Sequence, residues 1–380
     1  MKKPSSIVFF SMSYFCHWER GILNREYFIH KEICKRASVR IATVDMLPYS
    51  FRSFLRSLVF RIKLKKRLKV QDDSFLITVF KTPENEFLII APIAYFSEWL
   101  FKKKLSHFLS DTGFNDAWAW SYNPLSLVFL DKFFRTAIFE AVDDWRYHAV
   151  YSRFKKLLAK NYRIISKKAD CIFSVSHYLN DVFKNEFQAL NAYIIPNGID
   201  NGRIEVPETV FKYSRARVVY LGNIEERIDF NLLKDVAASM PEVDFFCIGK
   251  VWPSMRKKVK KTLFLTNLHF VGSLPYSDAR KILPYFSSAI IPHKYSLFTQ
   301  SNDPLKFYDY LSSGLPVVST VDPDDKILKS FINLATTSET FTKATKDVIK
   351  KDTESTRNSR INLMKNYSWS GRVDSMFERL

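Results

Sequence analysis

Glycine is scarce in this chain of 380 residues, at nine positions. Collagen-like and glycine-rich low-complexity classes are therefore excluded, and each glycine marks a place where the backbone needs one. Cysteine is scarcer still: Cys16, Cys34, Cys171 and Cys247. None forms a Cys-x-x-Cys pair and no histidine cluster adjoins them in sequence. They read as buried, reduced thiols of a reducing compartment, and no metal site is expected. No apolar run reaches the ~20 residues that cross a bilayer. The longest, around residues 87–101, is broken by Pro92, Ser97 and Glu98. The opening MKKPSSIVFFSMSYFCHWERG has a short apolar run and no small-residue cleavage site, so it reads as a first buried strand rather than a signal peptide. HExxH, the P-loop, GxSxG and GxGxxG are absent, which argues against metalloprotease, NTPase, serine-hydrolase and dinucleotide chemistry.

What is present is an ordinary globular composition, 47% apolar and 26% charged, with 34 Phe to fill core volume. The length suggests two domains. The net charge is +19, and basic residues exceed acidic ones by 31 to 19 in residues 1–200 and by 27 to 20 in the rest. The excess concentrates in FRSFLRSLVFRIKLKKRLKV, residues 51–70, which holds eight basic residues and no acid. Phe51, Leu55, Leu58 and Ile62 recur there at helical spacing. A second basic–aromatic run, WLFKKKLSHF, follows at 99–108. Such runs suit an anionic membrane surface, or else a core-packed helix with a solvated basic face. No zinc-finger spacing, RNP-type motif or helix-turn-helix supports nucleic acid as a partner.

Apolar strands alternate with helical segments, which implies an α/β chain with parallel sheets covered on both faces. Strands are expected at 7–10, 39–44, 75–80, 87–90, 127–129, 137–140 and 171–175, and helices at 25–35 and 147–166. The turn-rich stretch 196–217 reads as a linker between a first domain, 1–200, and a second, 201–360. A terminal helix within 361–380 is expected to pack back on the first domain. In the second domain the strands at 217–221, 244–248 and 268–271 each end in a glycine: Gly222, Gly249 and Gly272. Glycine at the carboxyl end of a parallel strand lets a ligand or backbone come close, and that edge is where open α/β sheets bind nucleotides.

The densest constellation is SNDPLKFYDYLSSGLPVVST, residues 301–320. Asn302 or Asp303 can cap a helix and Pro304 suits its first turn. The helix start is an anion site, Lys306 adds a point charge, and Asp309 lies one turn on as an acceptor for ribose hydroxyls. An ordinary amphipathic helix with a surface Lys–Asp pair has the same spacing. A second constellation, AIFEAVDDWRYH at 137–148, runs from a strand into Asp143 and Asp144, either of which can cap the following turn. His17, Trp18, Glu19 and Arg20 follow the first strand and are candidate acceptor contacts. His293, after the strand at 289–292, is a candidate donor contact.

PLKFYDYLSSGLPVVST resembles the donor-site signature of the type-4 group of GT-B glycosyltransferases. VVYLGNIEERIDFNLL, FFCIGK, LHFVGSLPYSDARKIL and AIIPHK precede it in that group's order, and ADCIFSVSHYLNDVF and AYIIPNGID resemble its stretch before the hinge. The resemblance implies two Rossmann-like domains whose parallel sheets face across a cleft. It implies a nucleotide-sugar donor, a UDP-sugar by default, used as co-substrate with neither cofactor nor metal. By position, Lys306 would bind the diphosphate and Asp309 the ribose. Gly222 and Asn223 would approach the phosphates or the acceptor side, Arg227 would be a second phosphate cation, and Gly249, Lys250, Leu274 and Tyr276 would border the base. Tyr295 and the backbone of Ser301 and Asn302 would face the donor. The chain departs from the group twice: Ser301 stands where a first glutamate is usual and Asp309 where the second is, and Arg227 is not followed by the usual lysine. The loop at Asp143–Asp144 resembles that of a subgroup in bacterial exopolysaccharide and teichuronic-acid assembly that includes a xanthan glucuronosyltransferase. That likeness implies Asp144 as general base and Asp143 as an acceptor-side residue.

The expectation is a bacterial glycosyltransferase that moves a sugar to a lipid-linked or growing glycan, peripheral at the cytoplasmic face of the membrane. A nucleotide-sugar epimerase of the same fold, or a non-catalytic membrane- or polyanion-binding protein, are the alternatives.

Overall fold

The computed structural model describes residues 4–13, 15–36, 39–46, 51–84, 86–92, 97–200, 214–262 and 264–380. The chain divides into two compact units, Met1–Ile195 with Val373–Leu380, and Pro196–Arg372. Of the stretch expected to link them, residues 196–200 belong to the second unit and 201–213 lie outside the described residues.

The first unit is built on nine strands: β1 (Ser6–Ser11), β2 (Arg40–Met46), β3 (Lys69–Asp73), β4 (Thr78–Lys81), β5 (Phe87–Ala91), β6 (Trp118–Ser121), β7 (Thr136–Ala141), β8 (Cys171–Ser174) and β9 (Ala192–Ile194). Their order is β3-β4-β5-β2-β1-β6-β7-β8-β9. Seven strands run parallel, and β3 and β4 pair antiparallel at one edge. β1 and β7 are buried along their whole lengths, as strands with helices on both faces must be. β3 is polar and mostly exposed, as suits an edge. The helix Lys155–Lys168 buries Leu158, Tyr162 and Ile165 at helical spacing and turns its lysines outward. Phe377, in the last helix, stacks on Trp118, with ring centroids 6.2 Å apart.

The second unit holds six parallel strands: β10 (Arg217–Leu221), β11 (Asp244–Ile248), β12 (Leu268–Gly272), β13 (Ser288–Ile291), β14 (Val317–Ser319) and β15 (Ile332–Leu334). Their order is β12-β11-β10-β13-β14-β15. In each sheet one strand lies between its successor and a strand from much later in the chain: β1 between β2 and β6, β10 between β11 and β13. Connections leave that strand's carboxyl end in opposite directions and open a crevice there, where ligands of such sheets bind.

Several expectations need correction. Residues 127–129 are not a strand; Val128–Leu130 is a short 3-10 turn, and the strand is the preceding Trp118–Ser121. The strand expected at 75–80 starts only at Thr78, as β4, and an unexpected edge strand, β3, precedes it at Lys69–Asp73. The turn between them is held by Ser74, and Asp73 pairs with Arg61 and Lys65. Within 361–380 only Val373–Leu380 joins the first unit, whereas Met364 and Tyr367 pack in the core of the second.

Candidate active site

In the second unit the crevice at β10 is shaped by two glycines. Gly222 has φ +141 and Gly249 φ +157, both in the region that side chains avoid. A Cβ on Gly249 would stand 1.9 Å from the Gly222 carbonyl oxygen, so two strand ends meet backbone to backbone. A Cβ on Gly222 would stand 2.6 Å from Lys306 Cε and 2.8 Å from its Nζ. The lysine therefore occupies the space that a side chain at 222 would fill.

Lys306 arrives on the helix Leu305–Ser312, which buries Phe307, Tyr308, Tyr310 and Leu311. Tyr310 lies one turn beyond Lys306 on the same face, and its hydroxyl accepts from the Leu221 N–H at 2.7 Å. That bond fixes the helix under the end of β10. The Lys306 ammonium lies 5.3 Å from the centroid of the Tyr220 ring. Burial, and then the nearby Arg227, push its pKa down to about 8, with Glu225 and Asp309 only partly opposing. Arg227 pairs with the buried Glu225 and lies over Phe298. His293 is buried beside them, its Nε2 3.3 Å from the Tyr220 hydroxyl. Burial, then Lys306 and Arg227, hold it well below the ordinary imidazole range, so it is neutral. Lys306 and Arg227 thus share a desolvated crevice in which Glu225 and Asp309 only partly offset them, a field that favours an added anion.

One turn along, Asp309 is buried and accepts from the Tyr276 hydroxyl at 2.6 Å. Burial raises its pKa, opposed by Arg280, Tyr276 and Lys306. The structure thus brings together Gly222, Arg227, Gly249, Tyr276, His293, Lys306 and Asp309. Asn223, Lys250, Leu274 and Tyr295 are exposed on the same carboxyl edge of the sheet. Sequence reasoning missed Glu225, which balances Arg227. It also missed Arg280, whose Nε and Nη2 are buried without a hydrogen-bond partner among the described residues. Arg280 follows Tyr276 by one helical turn, a spacing that could have revealed it.

One expectation in this region changes. The cap position of the helix is Pro304 itself, with no side-chain cap. Asp303 instead accepts from the Asn197 N–H at 2.6 Å and the Tyr308 hydroxyl at 2.7 Å. The stretch PNGID is thereby explained as a clamp within this unit. Gly198 comes within 2.9 Å, measured from an added Cβ, of the Tyr367 carbonyl. The Ser301 hydroxyl donates to the Phe298 carbonyl at 2.7 Å inside its own helix, which leaves the expectation for its backbone unaffected. Asn302, which follows it, is partly exposed.

In the first unit the acidic loop follows β7. Asp144 is fully buried and caps the next turn: its Oδ1 accepts from the Arg146 N–H at 3.2 Å and Nε at 2.8 Å, its Oδ2 from Nη2 at 2.7 Å. Burial works against the Arg146 charge, but hydrogen bonds to Asp144 and Glu186 more than offset it and raise the pKa. The role of general base does not suit this placement, because the carboxylate is closed off from solvent and held by its own guanidinium. Asp143 is the partly exposed member of the pair. His17 is partly exposed and Arg20 exposed. Trp18 packs among Phe15, Tyr27 and His30, with a buried Nε1 that has no partner among the described residues. Near them, at the ends of β1 and β2, burial pushes Glu26 and Asp45 each up to about 7, against hydrogen bonds from Ser11, Ser13 and Met12 in one case and Phe15 in the other.

No family model matches the chain. Over 191 residues it is 24% identical to TuaH of Bacillus subtilis (strain 168), a candidate teichuronic acid biosynthesis glycosyltransferase, and the match covers 48% of each chain. It therefore spans about half the length of the curated relative. Among solved structures it is similar to a sucrose-phosphate synthase from Thermosynechococcus elongatus (TM-score 0.71, 11% identity, 98% of each chain). It is similar to HepE from Anabaena in complex with UDP (TM-score 0.66, 12% identity, 98% of each chain). S. aureus TarM, in complex with fondaparinux, α-GlcNAc-glycerol and UDP, gives a TM-score of 0.65 at 10% identity over 99% of each chain. With its two mostly parallel sheets, each opened at a switch point, the chain has the GT-B glycosyltransferase fold.

Proposed function

We propose that the chain is a glycosyltransferase that takes its sugar from a nucleoside diphosphate, in the first place UDP. The observation that carries this reading is the Lys306 ammonium under Gly222, with Arg227 beside it and too little negative charge close by. A diphosphate supplies that charge. As the sugar leaves, the developing charge on the leaving diphosphate is stabilised by Lys306, Arg227 and the start of the helix Leu305–Ser312, groups already in place before reaction. Asp309, steadied by Tyr276, takes the ribose hydroxyls. The UDP complexes of HepE and TarM support the choice of nucleotide. The acidic loop of the first unit supplies the base that removes the acceptor's proton, and Asp143, the partly exposed carboxylate, is assigned that step. Asp144 holds the loop through Arg146.

The acceptor is a glycan carried on lipid, and the first unit docks on an anionic membrane surface. Leu55, Val59 and Ile62 lie on one stripe of the helix Phe51–Lys65 and are 46%, 53% and 58% exposed. Lys63, Lys65, Lys66 and Arg67 flank it. The helix Glu98–Asp111 adds exposed Trp99, Leu100, Lys102 and Lys103. The two runs meet across β3, where Asp73 pairs with Arg61 and Lys65 while Asp72 pairs with Lys104. Among the described residues no helix is long and apolar enough to cross a membrane.

Calorimetry with UDP, GDP, ADP and dTDP tests the donor reading. UDP binding that is lost in Lys306→Met supports it; no binding by any of them overturns it in favour of a non-catalytic protein. Sedimentation with phosphatidylglycerol and with phosphatidylcholine vesicles tests the surface. Binding to the first only, lost in Leu55→Glu/Ile62→Glu, is expected. Equal binding to both, or to neither, refutes it.

A further inference from the structure

The helix Arg25–Cys34 carries His30 and Cys34 one turn apart, hence on one face. Glu86, in the turn that enters β5, comes up against both. His30 Nε2 is 3.4 Å from Glu86 Oε2, and Cys34 Sγ lies 3.9 Å from Nε2 and 3.4 Å from Nδ1, so the ring must turn slightly to present one nitrogen to both. One nitrogen, one sulfur and one carboxylate oxygen all lie within 4.8 Å of one another, the only such group among the described residues. The side chains of His30 and Glu86 are 12% and 18% exposed. Tetrahedral zinc, with bonds of about 2.0–2.3 Å, sets its ligand atoms about 3.3–3.7 Å apart. The three atoms therefore need to move by only a few tenths of an ångström to an ångström to share one ion.

We propose that His30, Cys34 and Glu86 form a three-ligand site for a zinc-class divalent cation. A neutral imidazole, a thiolate and a carboxylate bring two negative charges, which balance the ion and leave the buried cluster neutral. Binding converts the Cys34 thiol to thiolate and releases its proton to solvent. Thr43 on β2, its hydroxyl 3.1 Å from His30 Nε2, hydrogen-bonds that nitrogen in the metal-free chain and gives the contact up when the ion binds. Glu86 precedes the first residue of β5, so the site lies at the amino edge of the sheet, whereas the crevice opens at the carboxyl edge. The ion is accordingly structural: it fastens the helix to the turn before β5.

The test uses the full chain, stripped with a chelator and titrated with zinc against a chromophoric competitor. One equivalent is expected to bind, with a rise in melting temperature. His30→Gln and Cys34→Ser each weaken it at least about 100-fold and Glu86→Gln about tenfold, while all three keep the wild-type far-ultraviolet spectrum without metal. Cobalt in the unmutated chain gives a thiolate charge-transfer band, which needs no variant to fold. Failure to bind one equivalent, zinc affinity unchanged in Cys34→Ser, or cobalt binding without that band overturns the proposal. None of these readouts depends on nucleotide binding.

Discussion

Replacing Lys306 by methionine separates what the lysine costs the fold from what it gives the ligand. The side chain keeps its length and its place under Gly222 and loses its charge. In the native protein the ammonium is less welcome than in water, its pKa falling from 10.5 to about 8. A drop of about 2.5, at about 1.36 kcal/mol for each, makes the charged lysine cost up to about 3 kcal/mol at pH 7. Lys306→Met should therefore be more stable than the parent by up to that amount in urea at pH 7, with an unchanged m-value. The sign with pH follows. A lysine with a depressed pKa burdens the fold while it is protonated there, so the parent gains stability as pH rises from about 8 to 10.5. The advantage of the variant should shrink to under about 1 kcal/mol by pH 10. UDP affinity should move the other way, falling by about tenfold or more with the loss of a charge-assisted bond to phosphate. A variant no more stable than the parent at pH 7, or an advantage that persists at pH 10, would refute the electrostatic account of the crevice.

The glycines make a sharper structural contrast. Gly249→Ala sets a Cβ against backbone and should destabilise by more than about 4 kcal/mol. Gly272→Ala, with φ +91 but open space around it, should cost about 1–2 kcal/mol in a denaturant titration. Asp144→Asn leaves Arg146 buried beside a neutral partner and should cost about 3–5 kcal/mol, whereas Asp143→Asn should fold normally and lose turnover with UDP binding kept. Full activity of Asp143→Asn in a sugar-transfer assay removes it from the reaction. Glu26 and Asp45 have pKa values raised to about 7, so each favours the native state at low pH and loses that contribution as pH rises. Stability should decline between about pH 4.5 and 7 by up to about 3 kcal/mol for Glu26, and Glu26→Gln should flatten that slope.

The second unit was the more legible half, for a physical reason. Its strands are continuous apolar runs that end in glycine, and the glycines are there because Lys306 and a neighbouring backbone fill the space a side chain would take. Gly222 and Gly249 could thus be found by scarcity alone. Trp118–Ser121, Ala192–Ile194 and Ile332–Leu334, three or four residues each with no closing glycine, show too little pattern to read and exist because neighbouring strands pair with them. Conversely 127–129 is apolar enough for a strand but is turned into a 3-10 bend, and Ser126 and the Leu127 N–H bond to Glu98.

The acidic loop shows the limit of reading a site from residue types. Asp143 and Asp144 are interchangeable on paper, and only the fold sorts them, by turning one inward to Arg146 and leaving the other at the surface. The same limit concealed His30, Cys34 and Glu86. Sequence inspection seeks metal ligands at short spacings, and Glu86 is contributed from a turn that a helix and three strands separate from the other two. A helical i,i+4 pair of His and Cys was present throughout. What completes it is the position of β5 next to β2, a long-range pairing that no local pattern encodes.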